Sequence, residues 1–335
     1  MMKRKSVGIL ATGSYVPEKV LTNYELEKMV DTSNEWIVSR TGIQERRIVS
    51  EEQASSDLGY EAAVRALKKA GVRAEQLDLI IVTTVTPDTS FPSTANILQH
   101  RLGAEKAASF DLAAACSGFL YGITTAAQFI ETGLYRYVLV VGVDCLSKIV
   151  DWTDRNTCIL FGDGAGATLL GCVEDGYGFK SFDLGSDGSG GDLLKVPAGG
   201  SRLPASIKTV SNRQHYIQMS GSDVFKFAVR VMESSAKSVM EKAGLTIEDI
   251  DYLVPHQANI RIIDSAVKRL GISHDKVAVN LNRYGNMSAA SIPVALDELV
   301  ENGKIKAGDH LLLVGFGGGL TWGASILRWN TNEQI

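Results

Sequence analysis

Residues 69–81 read KAGVRAEQLDLII, and residues 242–254 read KAGLTIEDIDYLV. Lys69, Ala70, Gly71, Glu75 and Asp78 recur as Lys242, Ala243, Gly244, Glu248 and Asp251, an offset of 173 residues. The same offset lays YVLVVGV (137–143) over HLLLVGF (310–316). Two separate matches at one offset, close to half the chain, predict a duplication: halves 1–173 and 174–335, joined near Cys172 to Gly178. Chance likeness between two amphipathic helix–strand units is the competing explanation.

Outward from the repeat, short apolar runs alternate with longer amphipathic stretches. Leu79–Thr84, Tyr137–Val143, Asp251–Val254 and His310–Phe316 read as buried strands. Residues 55–70, 117–132, 222–243, 259–270 and 288–302 carry apolar positions every three or four residues and read as helices. Such alternation predicts an α/β protein with buried sheets and helices on their faces. Residues 185–221 break the pattern with GSDGSGG and PAGGSRLP. A loop that long either covers a site or is a mobile surface excursion.

Composition narrows the function classes. The 335 residues are 45% hydrophobic and 21% charged, which suits a large core and, at roughly 150 residues per domain, about two domains. A net charge of −4 argues against a nucleic-acid binder and leaves room for a local basic patch. Cys116, Cys145, Cys158 and Cys172 include no CxxC pair, so neither zinc nor a disulfide scaffold is expected. The start, MMKRKSVGILATG, is broken by Gly8 and Gly13 and reads as a first strand rather than a signal peptide. No apolar run approaches the ~20 residues that span a bilayer, so no membrane segment and a cytoplasmic location with reduced thiols are expected.

Four short segments hold candidate chemistry. Cys116, in DLAAACSGFLYGITTA (111–126), stands where an amphipathic helix starts. The macrodipole and free N–H groups there favour thiolate, although a buried small hydrophobe explains the residue equally well. His256, in VPHQANIRII (254–263), follows a strand and precedes a helix that Asn259 can cap, a place where α/β sheets bind ligands. Local packing explains it too. Asn286, in RYGNMSAASIP (283–293), is by itself a turn residue. GFGGGLTWG (315–323) lets backbone N–H groups approach a ligand, as an oxyanion hole requires, or is a plain flexible turn. FGDGAGATLLG (161–171) formally fits a dinucleotide fingerprint, but its apolar, glycine-ended second half reads as a strand, so no nicotinamide cofactor is expected. The order Cys, His, Asn also resembles papain-like proteases, whose local signature around the cysteine is missing.

Taken together, DLAAACSGF, VPHQANIRII, RYGNMSAASIP and GFGGGLTWG resemble the motif set of the β-ketoacyl-acyl-carrier-protein synthase III family. SNEWIVSRTGI (33–43), TPDTSFPS (86–93) and DWTDRNTCILFGDGAGA (151–167) extend the resemblance over nearly the whole chain. It implies a thiolase-like fold, with two duplicated five-stranded halves in five layers, α/β/α/β/α. It also implies an initiating condensation of an acyl-CoA primer with malonyl-acyl carrier protein, without cofactor, by a homodimer.

Residue roles follow from the same resemblance. Cys116, His256 and Asn286 match the catalytic triad, and the N–H groups of Cys116 and Gly318 the oxyanion hole. Trp36 and Arg155 match the pair that stacks the CoA adenine, while Arg40, Asn259 and Gly221 match the pantetheine and phosphate path. Phe91 matches an aromatic that crosses the dimer interface to close the acyl pocket. Met287 stands where the family commonly has Thr, which implies an altered pocket. Arg261, Lys268 and Arg269 on one helix face, with Lys226 and Arg230 on another, form a basic stripe suited to an acidic carrier protein. Polyketide condensing enzymes share Cys–His–Asn and are the nearest alternative, followed by a thiolase-fold protein that only binds acyl-CoA.

Overall fold

The computed structural model describes residues 5–330. Five strands form the first sheet: β1 (Val7–Tyr15), β2 (Leu79–Thr83), β3 (Ala108–Leu112), β4 (Val138–Cys145) and β5 (Asp163–Cys172). Their order is β1–β5–β4–β2–β3; β2 runs parallel to β3 and β4, and β5 lies antiparallel between β4 and β1. Every residue of β4 is buried, as expected for an apolar strand covered on both faces. The glycine-rich 161–171 segment lies largely within β5, so it builds sheet and no phosphate-binding turn.

The second sheet repeats the arrangement with β6 (Gly178–Ser186), β7 (Tyr252–Pro255), β8 (His310–Gly317) and β9 (Thr321–Arg328), ordered β7–β8–β9–β6. It has four strands, one fewer than the resemblance implied. The fifth position is a single parallel bridge between Leu253 and Val277. The Gln257 side chain takes the place of further ladder there, donating to Ala278 O at 3.0 Å and accepting from Asn280 N at 3.0 Å.

Helices complete the layers: α1 (Asn34–Thr41), α2 (Ser55–Ala70), α3 (Thr94–Leu102), α4 (Gly118–Glu131), α5 (Gly221–Ala243), α6 (Ile260–Leu270) and α7 (Ser291–Glu301). Strand alternation sends Ile80 and Val82 outward against Leu58, Ala62 and Ala66 of α2. Leu79 and Ile81 face inward, where Phe119 and Ile123 of α4 and Ile292 and Leu296 of α7 fill the middle layer. Leu311 and Leu313 close that layer from the second sheet. Leu312 and Val314 turn outward onto α5 and α6. The result is α/β/α/β/α.

The repeated glycines and aspartates do the same work in both copies, while the repeated lysines pair with different aspartates. Gly71 and Gly244 end their helices at φ 65° and 68°, a left-handed conformation that glycine adopts at little cost. Lys69 reaches Asp297 at 2.8 Å and Lys242 reaches Asp183 at 2.7 Å. Asp78 Oδ2 accepts from Tyr137 N at 3.0 Å, and Asp251 Oδ2 accepts from His310 N at 2.8 Å. Each aspartate thus fixes the register between the two matching strands of its half. Between β6 and α5 the excursion contains a two-residue ladder, Leu194–Lys195 against Gln218–Met219, and a short helix, Ile207–Ser211.

Glycines distinguish open surface from close approach. A Cβ on Gly59 in α2 would meet Val141 at an ordinary 3.4 Å, whereas one on Gly142 in β4 would lie 2.4 Å from the Ala289 carbonyl oxygen. Gly59→Ala should therefore stabilise by about 0.5–1 kcal/mol through helix propensity. Gly142→Ala should destabilise by roughly 1–3 kcal/mol by forcing backbone apart. Urea unfolding of both variants checks the pair, and equal effects would contradict it.

Candidate active site

The loop after β3 turns sharply into α4 through a single tight turn, Ala115–Ser117, in which Ala115 takes φ 46°. An equivalent turn, Ser288–Ala290, stands 173 residues later, has Ser288 at φ 48°, and leads into α7. Left-handed conformations are uncommon for residues other than glycine and mark places where surroundings hold the backbone. Each turn packs on the central strand of the opposite half. A Cβ on Gly317 of β8 would lie 2.6 Å from Cys116 N, just as Gly142 of β4 meets Ala289. Ser117 Oγ donates to Ala114 O at 2.8 Å and lies 2.8 Å from Thr321 Oγ1, which ties this turn to the glycine loop after β8.

Cys116 borders two cavities. The larger, about 340 Å³, also contains Gly318 and is walled by Leu146, Ile149, Phe161, Leu194 and Ile217. The smaller, about 150 Å³, brings Cys116 together with His256 and Asn286. Leu194 and Ile217 belong to the 185–221 excursion, which therefore covers a site.

Asn286 is buried, and its Oδ1 accepts from Ser288 N at 2.8 Å. That bond fixes the orientation of the amide and leaves the Nδ2 hydrogens as donors. His256 is buried in T-shaped contact with Phe316, ring centroids 5.5 Å apart, and its Nδ1 has no hydrogen-bond partner among the described residues. Burial pulls its pKa down to about 3, so the ring is neutral at physiological pH. Burial likewise pushes the Cys116 thiol up to about 12, with the Ser288 hydroxyl opposing and the Asp144 carboxylate adding to the rise. This corrects the expectation of a thiolate at rest: the helix N-terminus is present, but desolvation dominates.

The remaining sequence candidates fall into three groups. Gly221 opens α5 and lines the smaller cavity with Asn259, whose Oδ1 caps α6 by accepting from Arg261 N at 2.9 Å. Trp36 lies under two guanidinium groups, Arg40 at 5.3 Å and Arg155 at 5.5 Å from its ring centroid. Arg155 also donates to Asp31 O at 3.0 Å, so it rests against the indole rather than leaving a slot.

Two assignments separate from the cavities. Phe91 is 86% exposed and lines neither of them within this chain. Met287 is fully buried with Ala290 and Val294 and lines neither cavity. Its sulfur fills the space over Gly164, where a Cβ would lie 2.5 Å away, so Met287 is removed from the pocket residues.

The basic stripe is uneven. Arg269 pairs with Glu233 at 2.9 Å and Lys226 with Asp223 at 3.4 Å. Among the described residues Arg261 and Lys268 face no carboxylate within ion-pair distance, and Arg261 lies 5.9 Å from the Phe225 ring centroid.

Sequence reading missed Ser288, Gly317 and Asp144. Carrying the offset of 173 from Cys116 would have found the turn containing Ser288. Asp144 had no signal: it is a buried carboxylate at the end of β4 that accepts from Thr84, Val85, Thr86 and Ala289. Among the described residues no three His, Cys, Asp or Glu side chains are placed to hold a metal ion, and no helix is long and apolar enough to cross a membrane.

Comparison with known proteins gives a consistent answer. Residues 110–188 match the family model for 3-oxoacyl-acyl-carrier-protein synthase III, and residues 240–329 match the model for its C-terminal part. A β-ketoacyl-acyl-carrier-protein synthase III of Desulfitobacterium hafniense is 63% identical over 97% of this chain and 98% of its own. The solved synthase III of Thermus thermophilus is 51% identical, covers 96% of this chain and 99% of its own, and superimposes with a TM-score of 0.91. The priming β-ketosynthase of the R1128 polyketide pathway is 37% identical over 99% of this chain and 98% of its own, also with a TM-score of 0.91. The backbone therefore does not separate these two kinds of synthase. On these grounds the chain belongs to the β-ketoacyl-acyl-carrier-protein synthase III family, condensing enzymes of the thiolase fold.

Proposed function

We infer that this protein joins an acyl-CoA primer to malonyl-acyl carrier protein with loss of CO₂, starting fatty-acid synthesis. The observation that carries the reading is one thiol, Cys116, bordering an apolar cavity on one side and a cavity with His256 and Asn286 on the other. In the first half-reaction the Cys116 sulfur attacks the thioester carbonyl. The acyl chain occupies the apolar cavity, and the thiol proton ends on the departing CoA sulfur. Backbone N–H groups of Cys116 and Gly318 hold the tetrahedral oxyanion.

Malonyl-acyl carrier protein then enters and its C–CO₂ bond breaks, leaving an enolate. The enolate oxygen needs hydrogen-bond donors and no strong base nearby. Asn286 Nδ2 supplies one donor. His256 supplies the other: an unpartnered buried acceptor costs less than an unpartnered buried N–H, so its proton sits on Nε2 rather than Nδ1. The carbanion attacks the acyl carbonyl, the C–S bond breaks, and the released Cys116 thiolate takes up one proton. The reaction calls for no cofactor beyond the CoA thioester itself.

Supporting residues complete the reading. Arg155 swings off Trp36 to clamp the adenine, with Arg40, Asn259 and Gly221 along the pantetheine. Arg261 and Lys268, which face no carboxylate within ion-pair distance among the described residues, meet the acidic carrier protein, with Arg269 and Lys226 lending charge already shared with glutamate and aspartate. A homodimer is supported by the exposed Phe91 and by β3, which ladders to β2 on one edge only among the described residues. An unpaired strand edge is a ready site for a second copy. A cytoplasmic location fits substrates of this kind.

Intact-mass measurement after incubation with acetyl-CoA or another short acyl-CoA should show one acyl adduct, absent in Cys116→Ser. An adduct that persists in that variant would overturn the assignment. His256→Ala and Asn286→Ala should each lower malonyl-carrier decarboxylation by about 10²-fold or more while leaving acylation largely intact. Equal losses in both half-reactions would contradict the division of labour. A thiol with pKa about 12 also predicts that alkylation of Cys116 by iodoacetamide rises about tenfold per pH unit from pH 7 to 10, because the thiolate fraction rises that way. A plateau below pH 8 would contradict it.

A further inference from the structure

Ser288 is the residue of the site whose chemistry is unassigned. It is buried, yet its Oγ makes no hydrogen bond of ordinary geometry among the described residues. Buried hydroxyls are normally paired, and an orphan asks for an explanation. Its backbone is held at φ 48°, a conformation that serine adopts only under constraint. Its N–H is engaged with Asn286 Oδ1 at 2.8 Å, so the residue is anchored on one side. Its side chain lines the larger cavity beside Cys116. The neighbouring Ala289 N donates to Asp144 Oδ2 at 3.2 Å, which fixes the turn against a buried carboxylate.

The duplication explains how a hydroxyl came to lie there. The equivalent position in the first half is Ala115, the residue preceding the nucleophile, also left-handed at φ 46°. The two turns touch in the middle layer, and Ser288 lines the same cavity as Cys116. Ala115 offers no polar atom; Ser288 does.

We propose that Ser288 is a positioning residue for the thiol, its hydroxyl rotating to donate to the Cys116 sulfur as that atom becomes anionic. In the resting protein the sulfur is a neutral thiol and a weak acceptor, and the hydroxyl stands between it and the Asp144 carboxylate at the end of β4, favouring the ionised form of each. When the thioester arrives and the S–H proton leaves, Ser288 Oγ–H supplies the donor that a buried thiolate lacks. His256 is neutral, and among the described residues Lys195 is the one cationic residue that lines the larger cavity. Charge-assisted hydrogen bonds of this sort are the stronger kind. The same donor is available again when Cys116 leaves as thiolate in the condensation. The direction of the thiol's pKa shift agrees: the Ser288 hydroxyl favours its ionised form.

This inference rests on Cys116 being the nucleophile. Ser288→Gly tests it best, because glycine accepts φ 48° without strain and keeps the N–H that holds Asn286. Ser288→Ala removes the same hydroxyl with a Cβ retained. The readout is the pH profile of Cys116 alkylation by iodoacetamide, followed by peptide mass, alongside the rate of acylation by acetyl-CoA at fixed pH.

Both variants should shift the alkylation profile about one unit to higher pH and slow acylation about tenfold at about pH 7.5. Decarboxylation of malonyl-carrier protein, which depends on Asn286, should change much less. An alkylation profile that stays in place in both variants, or moves to lower pH, would overturn the role. If wild-type Cys116 takes neither alkyl nor acyl group, the reading of Cys116 fails first and this one with it.

Discussion

Two strands and two turns pass so close to one another that side chains are excluded where they meet. Gly142 of the first sheet lies against the Ala289 carbonyl, and Gly317 of the second lies against the Cys116 amide. This reciprocal contact makes the two halves share one middle layer instead of forming separate domains. Each half presents its turn to the central strand of the other, so α4 and α7 start side by side in the interior. Cys116 then shares a cavity with His256 and Asn286, which come from the opposite half. Backbone close approach at a seam is the constraint from which the site arises.

The chemical environment at that seam is apolar and nearly free of charge. Cys116 is a protonated thiol at rest, and His256 a neutral ring, both because burial disfavours their charged forms. Asp144, the buried carboxylate nearby, is held by backbone and hydroxyl donors and anchors the second turn instead of facing the cavity as a free base. Such surroundings suit an enolate, which a nearby acid or water would quench. They also require every donor to be placed in advance, which is what the Ser288 N–H does for the Asn286 amide.

Much of this was legible in the sequence because it is carried by repetition. KAG at 69–71 and 242–244, with Asp78 and Asp251, marked the helix ends and strand registers that the structure shows. The long apolar runs that became β4 and β8 were equally plain. The fifth strand of the second half was not, since its pairing is replaced by Gln257 side-chain bonds that no periodicity records. Met287 misled for a related reason. Next to Asn286 in sequence, it turns away from the cavity because the left-handed residue after it reverses the chain, and it fills the gap over Gly164. Thiol ionisation was misjudged because a helix N-terminus can be seen in sequence, whereas the desolvation that outweighs it depends on tertiary packing. Leu146, Ile149, Leu194 and Ile217 converge on the larger cavity from distant segments and carry no motif.

The central claim is that Cys116 works between two cavities, an apolar one for the primer and one with His256 and Asn286 for the incoming malonyl group. A crystal structure of the protein after incubation with a short-chain acyl-CoA alone tests it most directly. The account predicts a thioester on Cys116 Sγ, its chain among Leu146, Ile149, Leu194 and Ile217, and its carbonyl oxygen within hydrogen-bond distance of the Cys116 and Gly318 amides. An acyl chain lying on the His256 and Asn286 side, or a free Cys116 with the acyl group bound elsewhere, would contradict it.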